Sequence, residues 1–186
     1  MACPYFGTCG GCSSQHIPYP VQVENKRKRI ESILASRGYV GDVEVRAGVP
    51  FGYRNRMDFI IHDAAEDQGK FVPALGLREK GVWHRIVDIE SCPIANAGVN
   101  TLLKEVQEWL ASTPMRAFDL MRNEGTLKYC VIRSCQNTDD SSLSFILNED
   151  SLDLARHVGL LSAFAGQATA KNVVWGTVPV DRDDSV

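Results

Sequence analysis

Residues 54–89 read RNRMDFIIHDAAEDQGKFVPALGLREKGVWHRIVDI, and this stretch decides the fold class. Met57, Phe59 and Ile61 alternate with other residues, as they would in a strand that has one buried face. The sequences EDQG and EKG are turn signals that divide the stretch into three apolar segments. Pro73 predicts an edge position or a bulge in the second segment. Three strands joined by tight turns predict an antiparallel sheet.

Helical periodicity surrounds this stretch on both sides. One predicted helix covers residues 19–39 and stops at Gly38. The residues that can share its apolar face are Val23, Ile30, Ile33 and Leu34. A second predicted helix covers residues 94–112, and its apolar stripe is Val99, Leu102, Leu103, Val106, Trp109 and Leu110. A third covers residues 151–165, with Ser151 as its candidate N-cap.

Further strands complete the predicted order of elements. They fall at residues 42–48, near 115–121, and at 126–135, 142–148 and 172–178. The order is therefore one helix, four strands, one helix, three strands, one helix and one strand. Runs of adjacent strands between helices predict the α+β class, with a mostly antiparallel or mixed sheet and about three helices.

The bulk composition is globular, with 186 residues, 44% hydrophobic residues and a net charge of −3. Generic polyanion binders are usually basic overall, so this chain is not one of them. Basic clusters such as residues 26–29 are by default solvated surface. The longest apolar runs are too short to cross a bilayer, and no signal peptide is visible. We therefore expect a cytoplasmic protein without a membrane partner.

Three cysteines lie close together in the pattern Cys3-x5-Cys9-x2-Cys12. In a cytosolic chain such thiols are more often metal ligands than disulfides. An x2 pair lets two thiolates converge on one metal or cluster. Gly10 and Gly11 suit the turn between them, because glycine tolerates positive φ and brings no Cβ near the sulfurs. The spacing leaves both an iron–sulfur cluster and a structural zinc ion open.

Both kinds of site usually take four ligands, so a fourth is needed. The candidates are Cys92, Cys130, Cys135 and His16. Cys92 lies in DIESCPI, after a predicted strand and before a helix, and a proline follows it as it follows many cluster ligands. Cys130 and Cys135 fall on opposite faces of one predicted strand and are interpreted as small buried hydrophobes. The residues therefore favour Cys92.

Several motifs resemble one family in the right order. CPYFGTCGGCSSQHIPYPVQVENKRKRI at residues 3–30 resembles the cluster-binding segment of the RNA (uracil-5-)-methyltransferases. FGYRNRMDF at residues 51–59 and LGLREKGVWHRIVDIESCPI at residues 75–94 resemble later motifs of that family. GTLKYCVIRS at residues 125–134 and NVVWG at residues 172–176 match further strands. These enzymes use S-adenosylmethionine to make 5-methyluridine in ribosomal or transfer RNA.

The resemblance implies a site and a partner. The implied ligands of a [4Fe–4S] cluster are Cys3, Cys9, Cys12 and Cys92. Residues 1–186 would be the central iron–sulfur and RNA-binding domain, with a cluster arm at 1–18 and an α+β body at 19–178. The resemblance implies RNA rather than DNA as the partner, and guanidinium groups can pair with its phosphates and stack on splayed bases. The arginines expected to contact it are Arg54, Arg56 and Arg78.

In the family, the catalytic domain follows the VVWG strand. There a cysteine thiolate adds to C6 of uracil, C5 attacks the methyl sulfonium, and a base removes the C5 proton. The nucleophile, the base and the S-adenosylmethionine site have no counterpart in these 186 residues. We therefore assign no catalytic residue, expect S-adenosylmethionine to bind in the missing domain, and expect the chain alone to be inactive.

Other interpretations compete with this one. The main alternative is a zinc-stabilised nucleic-acid-binding module without a catalytic role. Another is a complete chain that acts as an RNA-binding remnant. A radical enzyme would show Cys-x3-Cys-x2-Cys with one iron left open, and the x5 spacing here disfavours it.

Overall fold

The computed structural model describes residues 3–67, 70–183 and 185. Its elements are α1 (Tyr19–Ala35), β1 (Arg56–Asp67), β2 (Lys70–Glu79), β3 (Val82–Asp88), α2 (Ala97–Ser112), β4 (Leu127–Ser134), β5 (Ser141–Asn148), α3 (Leu154–Ala165) and β6 (Asn172–Val178). The predicted α+β class with three helices is confirmed. Residues 68 and 69 of the predicted EDQG turn lie outside the described residues.

The strands form one six-stranded sheet in the order β3-β2-β1-β4-β5-β6. Neighbouring strands are antiparallel except β5 and β6, which are parallel. Helix α3 supplies the crossover connection that a parallel pair requires. Pro73 lies beyond residues 76–79, the part of β2 that pairs with β3. It therefore occupies a local edge position, as predicted.

Helices α2 and α3 cover one face of this sheet. Trp109 of α2 stacks on Phe164 of α3 with ring centroids 4.5 Å apart, and both rings meet Phe145 of β5 edge-on. The buried residues of α2 are Val99, Leu102, Leu103, Val106 and Leu110, all from the predicted stripe. Met57, Phe59 and Ile61 of β1 are buried beneath them, as their alternation predicts. The removal of this apolar area from water is the main stabilisation of the fold.

Two predicted strands are absent from the described residues. Residues 42–48 form no ladder, because no neighbouring strand accepts their backbone groups. The segment near residues 115–121 makes two isolated bridges, Ala117–Leu127 and Asp119–Glu124, rather than a strand. Its return turn uses Asn123 at φ 56° and Gly125 at φ 100°. A Cβ at Gly125 would clash with the carbonyl oxygen of Ala117, so only glycine fits there.

Helix α1 forms as predicted and stops as predicted. Gly38 has φ 82°, and the Gly38 and Tyr39 N–H groups donate to the carbonyls of Ala35 and Leu34. This is the Schellman arrangement that ends many helices at glycine. The predicted apolar face is nevertheless only partly covered, with Val23 and Leu34 half-buried. Ile30 and Ile33 are 45% and 51% exposed, and none of the helix's own residues, all described, is buried.

The third helix begins later than predicted. Its N-cap residue is Asp153, not Ser151. The Ser151 hydroxyl instead lies 2.6 Å from the Thr126 hydroxyl, whose oxygen is 2.6 Å from Nδ1 of His157. Ser151 therefore completes a buried polar chain rather than capping the helix. Within the part of the chain that the structure describes, no helix has the length and apolar character that crossing a membrane requires.

Candidate metal centre and neighbouring arginines

The described part of the N-terminal arm, residues 3–18, folds as a series of turns against the β2–β3 hairpin. The Gly10 N–H donates to the Arg78 carbonyl at 2.9 Å, and the Lys80 N–H donates to the Thr8 carbonyl at 2.8 Å. A Cβ at Gly10 would lie 3.0 Å from that Arg78 oxygen, so glycine permits the close approach. Neither Gly10 nor Gly11 adopts positive φ, although both are described, so the turn does not use that tolerance.

The four predicted ligands come together. The cysteines that line a single cavity are Cys3, Cys9, Cys12 and Cys92. The first three belong to the arm, and Cys92 lies between the end of β3 and the start of α2. Asn100 of α2 fixes the Cys92 backbone, because its side chain accepts from the Cys92 N–H at 2.8 Å and donates to the Cys92 carbonyl at 3.1 Å. Asn100 was not predicted as a site residue, although an asparagine near the start of the helix that follows the CPI motif was a usable signal.

Hydrogen-bond donors surround the sulfurs. The Gly11 N–H donates to Sγ of Cys9 at 3.4 Å, and Nε2 of Gln15 donates to Sγ of Cys12 at 3.2 Å. Oε1 of Gln15 also accepts from the Cys3 N–H at 3.4 Å, so this one side chain joins two cysteines of the arm. Donors of this kind stabilise thiolates and cluster sulfurs.

The thiols also influence one another's ionisation. Burial raises the pKa of Cys9 and of Cys92, and backbone N–H groups partly oppose that rise. The negative charges of Cys12 and Cys3 raise both pKa values further. A nearby positive charge would therefore favour the thiolate forms of Cys9 and Cys92.

The present arrangement of the thiols is not that of a single-ion site. Among the described residues, no group of three or more His, Cys, Asp or Glu side chains is placed to hold a metal ion. Zinc at about 2.3 Å from each sulfur would require the four sulfurs to lie nearly in contact. The free space between the walls of the cysteine cavity is about 20 Å³.

The other candidate ligands lie elsewhere. Cys130 is fully buried between Phe59 and Phe145 in the sheet, and burial raises the pKa of its thiol well above the usual range. Its interpretation as a small buried hydrophobe fits the structure. Cys135 lies just beyond β4 and is exposed, so the prediction that it is buried within a strand is wrong. His16 packs its ring against Phe6 at 5.6 Å and does not line the cysteine cavity.

The three predicted arginines do not converge on one spot. Arg54 lines the cysteine cavity. Arg56 makes a two-fold hydrogen-bonded ion pair with Asp58 at 2.8 and 2.7 Å. Arg78 lies on the sheet face opposite the helices, where it pairs with Asp183 at 2.5 Å and donates to the Trp83 carbonyl. Each guanidinium is thus near the surface, and two are held by carboxylates.

Comparison with known proteins relates these features to characterised enzymes. No family model matches the chain. It is 33% identical over 150 residues to a tRNA (uracil(54)-C(5))-methyltransferase of Pyrococcus abyssi, a match that covers 81% of this chain and 34% of that protein. An uncharacterised RNA methyltransferase of Halalkalibacterium halodurans is 29% identical over 154 residues, which cover 81% of this chain and 32% of the relative.

A solved structure shares the fold. The crystal structure of the Pyrococcus abyssi tRNA (uracil-54, C5)-methyltransferase in complex with S-adenosyl-L-homocysteine superposes with a TM-score of 0.70 at 26% identity, covering 100% of this chain and 40% of that one. The chain spans about a third of the length of the curated relatives it matches. The resemblance noted in the sequence is thereby confirmed: the chain is homologous to the RNA (uracil-5-)-methyltransferases over about a third of their length.

Proposed function

We propose that Cys3, Cys9, Cys12 and Cys92 hold a [4Fe–4S] cluster. The observation that carries this proposal is that these four thiols line one cavity, whereas Cys130 and Cys135 do not. Such clusters take four cysteine ligands. Bound iron would supply the positive charge that favours the thiolate forms. The chain's own contribution is to orient the sulfurs through the donors from Gly11 and Gln15.

The role we assign to this site is structural. The arm and Cys92 are far apart in sequence, and a group bound to both closes a long loop of chain. Closing a long loop restricts the unfolded chain more than the folded one, and so stabilises the fold. In this proposal the cluster fastens the arm (residues 1–18) to the body (residues 19–178).

The alternative site is a structural zinc ion. A [4Fe–4S] protein is brown and absorbs visible light near roughly 400 nm, whereas zinc is silent. We expect the anaerobically purified chain to be brown and to contain about four irons and four sulfides. Cys92→Ala should lose most of the iron, and Cys135→Ala, a matched control at an exposed cysteine, should keep it. Stoichiometric zinc without iron would make the zinc-stabilised module the better account.

For the protein as a whole, we propose S-adenosylmethionine-dependent methylation of uridine C5 in ribosomal or transfer RNA, with transfer RNA favoured by the relatives. The support is the similarity to tRNA (uracil(54)-C(5))-methyltransferases and to a structure that holds S-adenosyl-L-homocysteine. The part assigned to these residues is RNA binding through Arg54, Arg56 and Arg78. A cytoplasmic location belongs to the same proposal, since that is where such RNA is modified.

The chemical steps have no candidate nucleophile here. Cys130 is fully buried and its raised pKa keeps the thiol protonated. Cys135 is exposed, and its backbone N–H donates to the Asp140 carbonyl at 2.9 Å. Nucleophilic cysteines need a base or a cationic environment that lowers the pKa. We therefore propose that the thiolate addition and proton removal take place outside these residues.

Binding and transfer assays test this function. The anaerobically purified chain should bind an unmodified tRNA transcript more tightly than a duplex DNA of equal length, as measured by fluorescence anisotropy. It should transfer no methyl group from labelled S-adenosylmethionine. Affinity should fall in Arg54→Ala, with Arg46→Ala, an exposed arginine outside the site, as the control. Equal affinity for tRNA and DNA, or methyl transfer by the chain alone, would contradict the proposal.

A further inference from the structure

The sheet face opposite α2 and α3 carries a second cavity. It has a volume of about 360 Å³, within the range of sites that hold small organic ligands. Ile60 and Tyr129, paired across β1 and β4, form its floor. The β3 residues Trp83 and His84 line one side, and the loop at residues 116–122 lines the other. The cavity is distinct from the cysteine site. Among its lining residues, Arg78 alone was predicted from the sequence as a site residue.

Large apolar side chains stand exposed at its rim. Trp83 is 61% exposed and Met121 is 85% exposed, and both line the cavity. An exposed tryptophan is costly to leave in water, and its flat ring offers a stacking surface to a planar ligand. Bases of single-stranded nucleic acid stack on such rings irrespective of sequence.

Cationic groups line the same cavity. They are Arg78, Arg116, Arg122 and Lys128, and the acidic residues among them are Asp63, Asp119 and Asp183. The lining therefore holds one more cationic side chain than carboxylates. Their ion pairs are at or near the surface, where a phosphate can replace a carboxylate as the partner of a guanidinium.

Asp183 marks the position that an anion would take. Its carboxylate pairs with Arg78 at 2.5 Å and accepts a hydrogen bond from the Tyr129 hydroxyl. Lys128 holds the segment that carries Asp183, because its ammonium donates to the carbonyls of Pro179, Val180 and Arg182. A carboxylate is thus placed against the floor of the cavity, beside the aromatic rim.

We propose that this cavity binds one unstacked nucleotide of an RNA strand, with the base against Trp83 and the phosphate on Arg78 in place of Asp183. The inference rests on the proposed RNA-binding function and names a site for it. It adds Trp83 to the arginines expected from the sequence. It also gives Asp183 a role as an internal competitor for the phosphate.

Equilibrium binding to an unmodified tRNA transcript tests the site. Trp83→Ala should weaken binding about tenfold or more, since stacking of one base on an aromatic ring is worth about that much. Trp83→Phe, which keeps a ring, should retain most of the affinity. Tyr39→Ala removes an aromatic side chain that is 51% exposed outside the cavity, and should leave the affinity within twofold.

Substitutions at the two charged residues should change the affinity for tRNA in opposite directions. Arg78→Ala should weaken binding and lower the slope of log affinity against log salt by about one. Asp183→Asn should bind several-fold more tightly, because the competing carboxylate is gone. A folding defect does not produce tighter binding, so this variant separates displacement from damage.

The outcomes separate this site from the function it depends on. Wild-type binding to tRNA with unchanged affinity in the Trp83→Ala and Asp183→Asn variants would overturn the site and leave the RNA-binding function in place. Failure of the wild-type chain to bind tRNA would overturn both. Trp83-dependent binding of a poly-glutamate peptide without binding of tRNA would assign the cavity to an acidic protein partner and overturn the proposal.

Discussion

Helices α1 and α2 have similar lengths, but α1 is more polar and less amphipathic than α2, and their surroundings differ. Helix α2 buries five residues against the sheet, whereas α1, described throughout, buries none. Local interactions support α1: Arg27 bridges Glu24 and Glu31, and Gln22 donates to the Ser14 and Ile17 carbonyls. The comparison teaches that apolar periodicity predicts both helices, but only the stronger apolar stripe, that of α2, is buried against the sheet.

The largest expected effect comes from the covered helix. Leu103 of α2 is fully buried in the core. Leu103→Ala should lower the free energy of unfolding by about 2–5 kcal/mol, because it removes apolar contacts and leaves a cavity. Urea denaturation followed by circular dichroism measures the change. A loss below about 1 kcal/mol would show that α2 is not the anchor of the core.

The second-largest loss of stability is expected at the start of α2. The Asn96 side chain accepts from the Val99 N–H at 2.8 Å and donates to the Ser134 carbonyl at 2.8 Å, and the residue is buried. Asn96→Ala should cost about 1–3 kcal/mol in the same denaturation assay, since it removes a cap and leaves buried groups unpaired. The control is Ser36→Ala at the exposed end of α1, which should change little. Equal losses of stability from the two substitutions would contradict the difference drawn between α1 and α2.

The body should also respond to acid through His157. Burial lowers the pKa of His157, and Arg156 adds to this while Asp153 opposes it. The unfolded chain therefore binds the proton more readily. Stability should fall as the pH drops through about 6.5, the ordinary histidine value. His157→Gln should flatten this part of the pH profile, and His16→Gln on the exposed arm should not. Parallel profiles for all three proteins would contradict this assignment.

The smallest effect should come from the partly covered helix. Ile33 of α1 is 51% exposed. Ile33→Ala should change the free energy of unfolding by no more than about 0.5 kcal/mol, as surface substitutions usually do. A loss comparable with that of Leu103→Ala would mean that α1 is covered by another part of the molecule in solution.

The sequence predicts what local pattern and short-range pairing determine. The alternation of Met57, Phe59 and Ile61, the stripe of α2 and the stop at Gly38 all appear in the structure. The prediction of a strand at residues 42–48 was wrong, because a segment with β-propensity forms a strand only when a neighbouring strand pairs with it. No periodicity in the sequence reveals whether such a neighbour is available.

The site, too, was predictable where it depends on local sequence and unpredictable where it depends on the tertiary structure. The x5 and x2 spacing brings three cysteines close together in the sequence itself, and the CPI motif identifies Cys92 as the fourth candidate ligand. The second cavity depends on β3, β4, the loop at residues 116–122 and the C-terminal segment coming together. Trp83 gave no signal in the sequence, because an aromatic residue in a strand is more often buried than exposed. Only the tertiary structure shows its ring at the surface.

The central claim is that a cluster fastens the arm to a body that folds through its own core. Hydrogen exchange of the chain reconstituted anaerobically with iron and sulfide, compared with the metal-free chain, tests it most directly. We expect the amides of the arm, including Cys9 and Gly10, to lose protection without the cluster, while those of β1 and β4 stay protected. Equal protection of the arm in both forms would contradict the claim, because the bonds to Arg78 and Lys80 would then suffice to hold it.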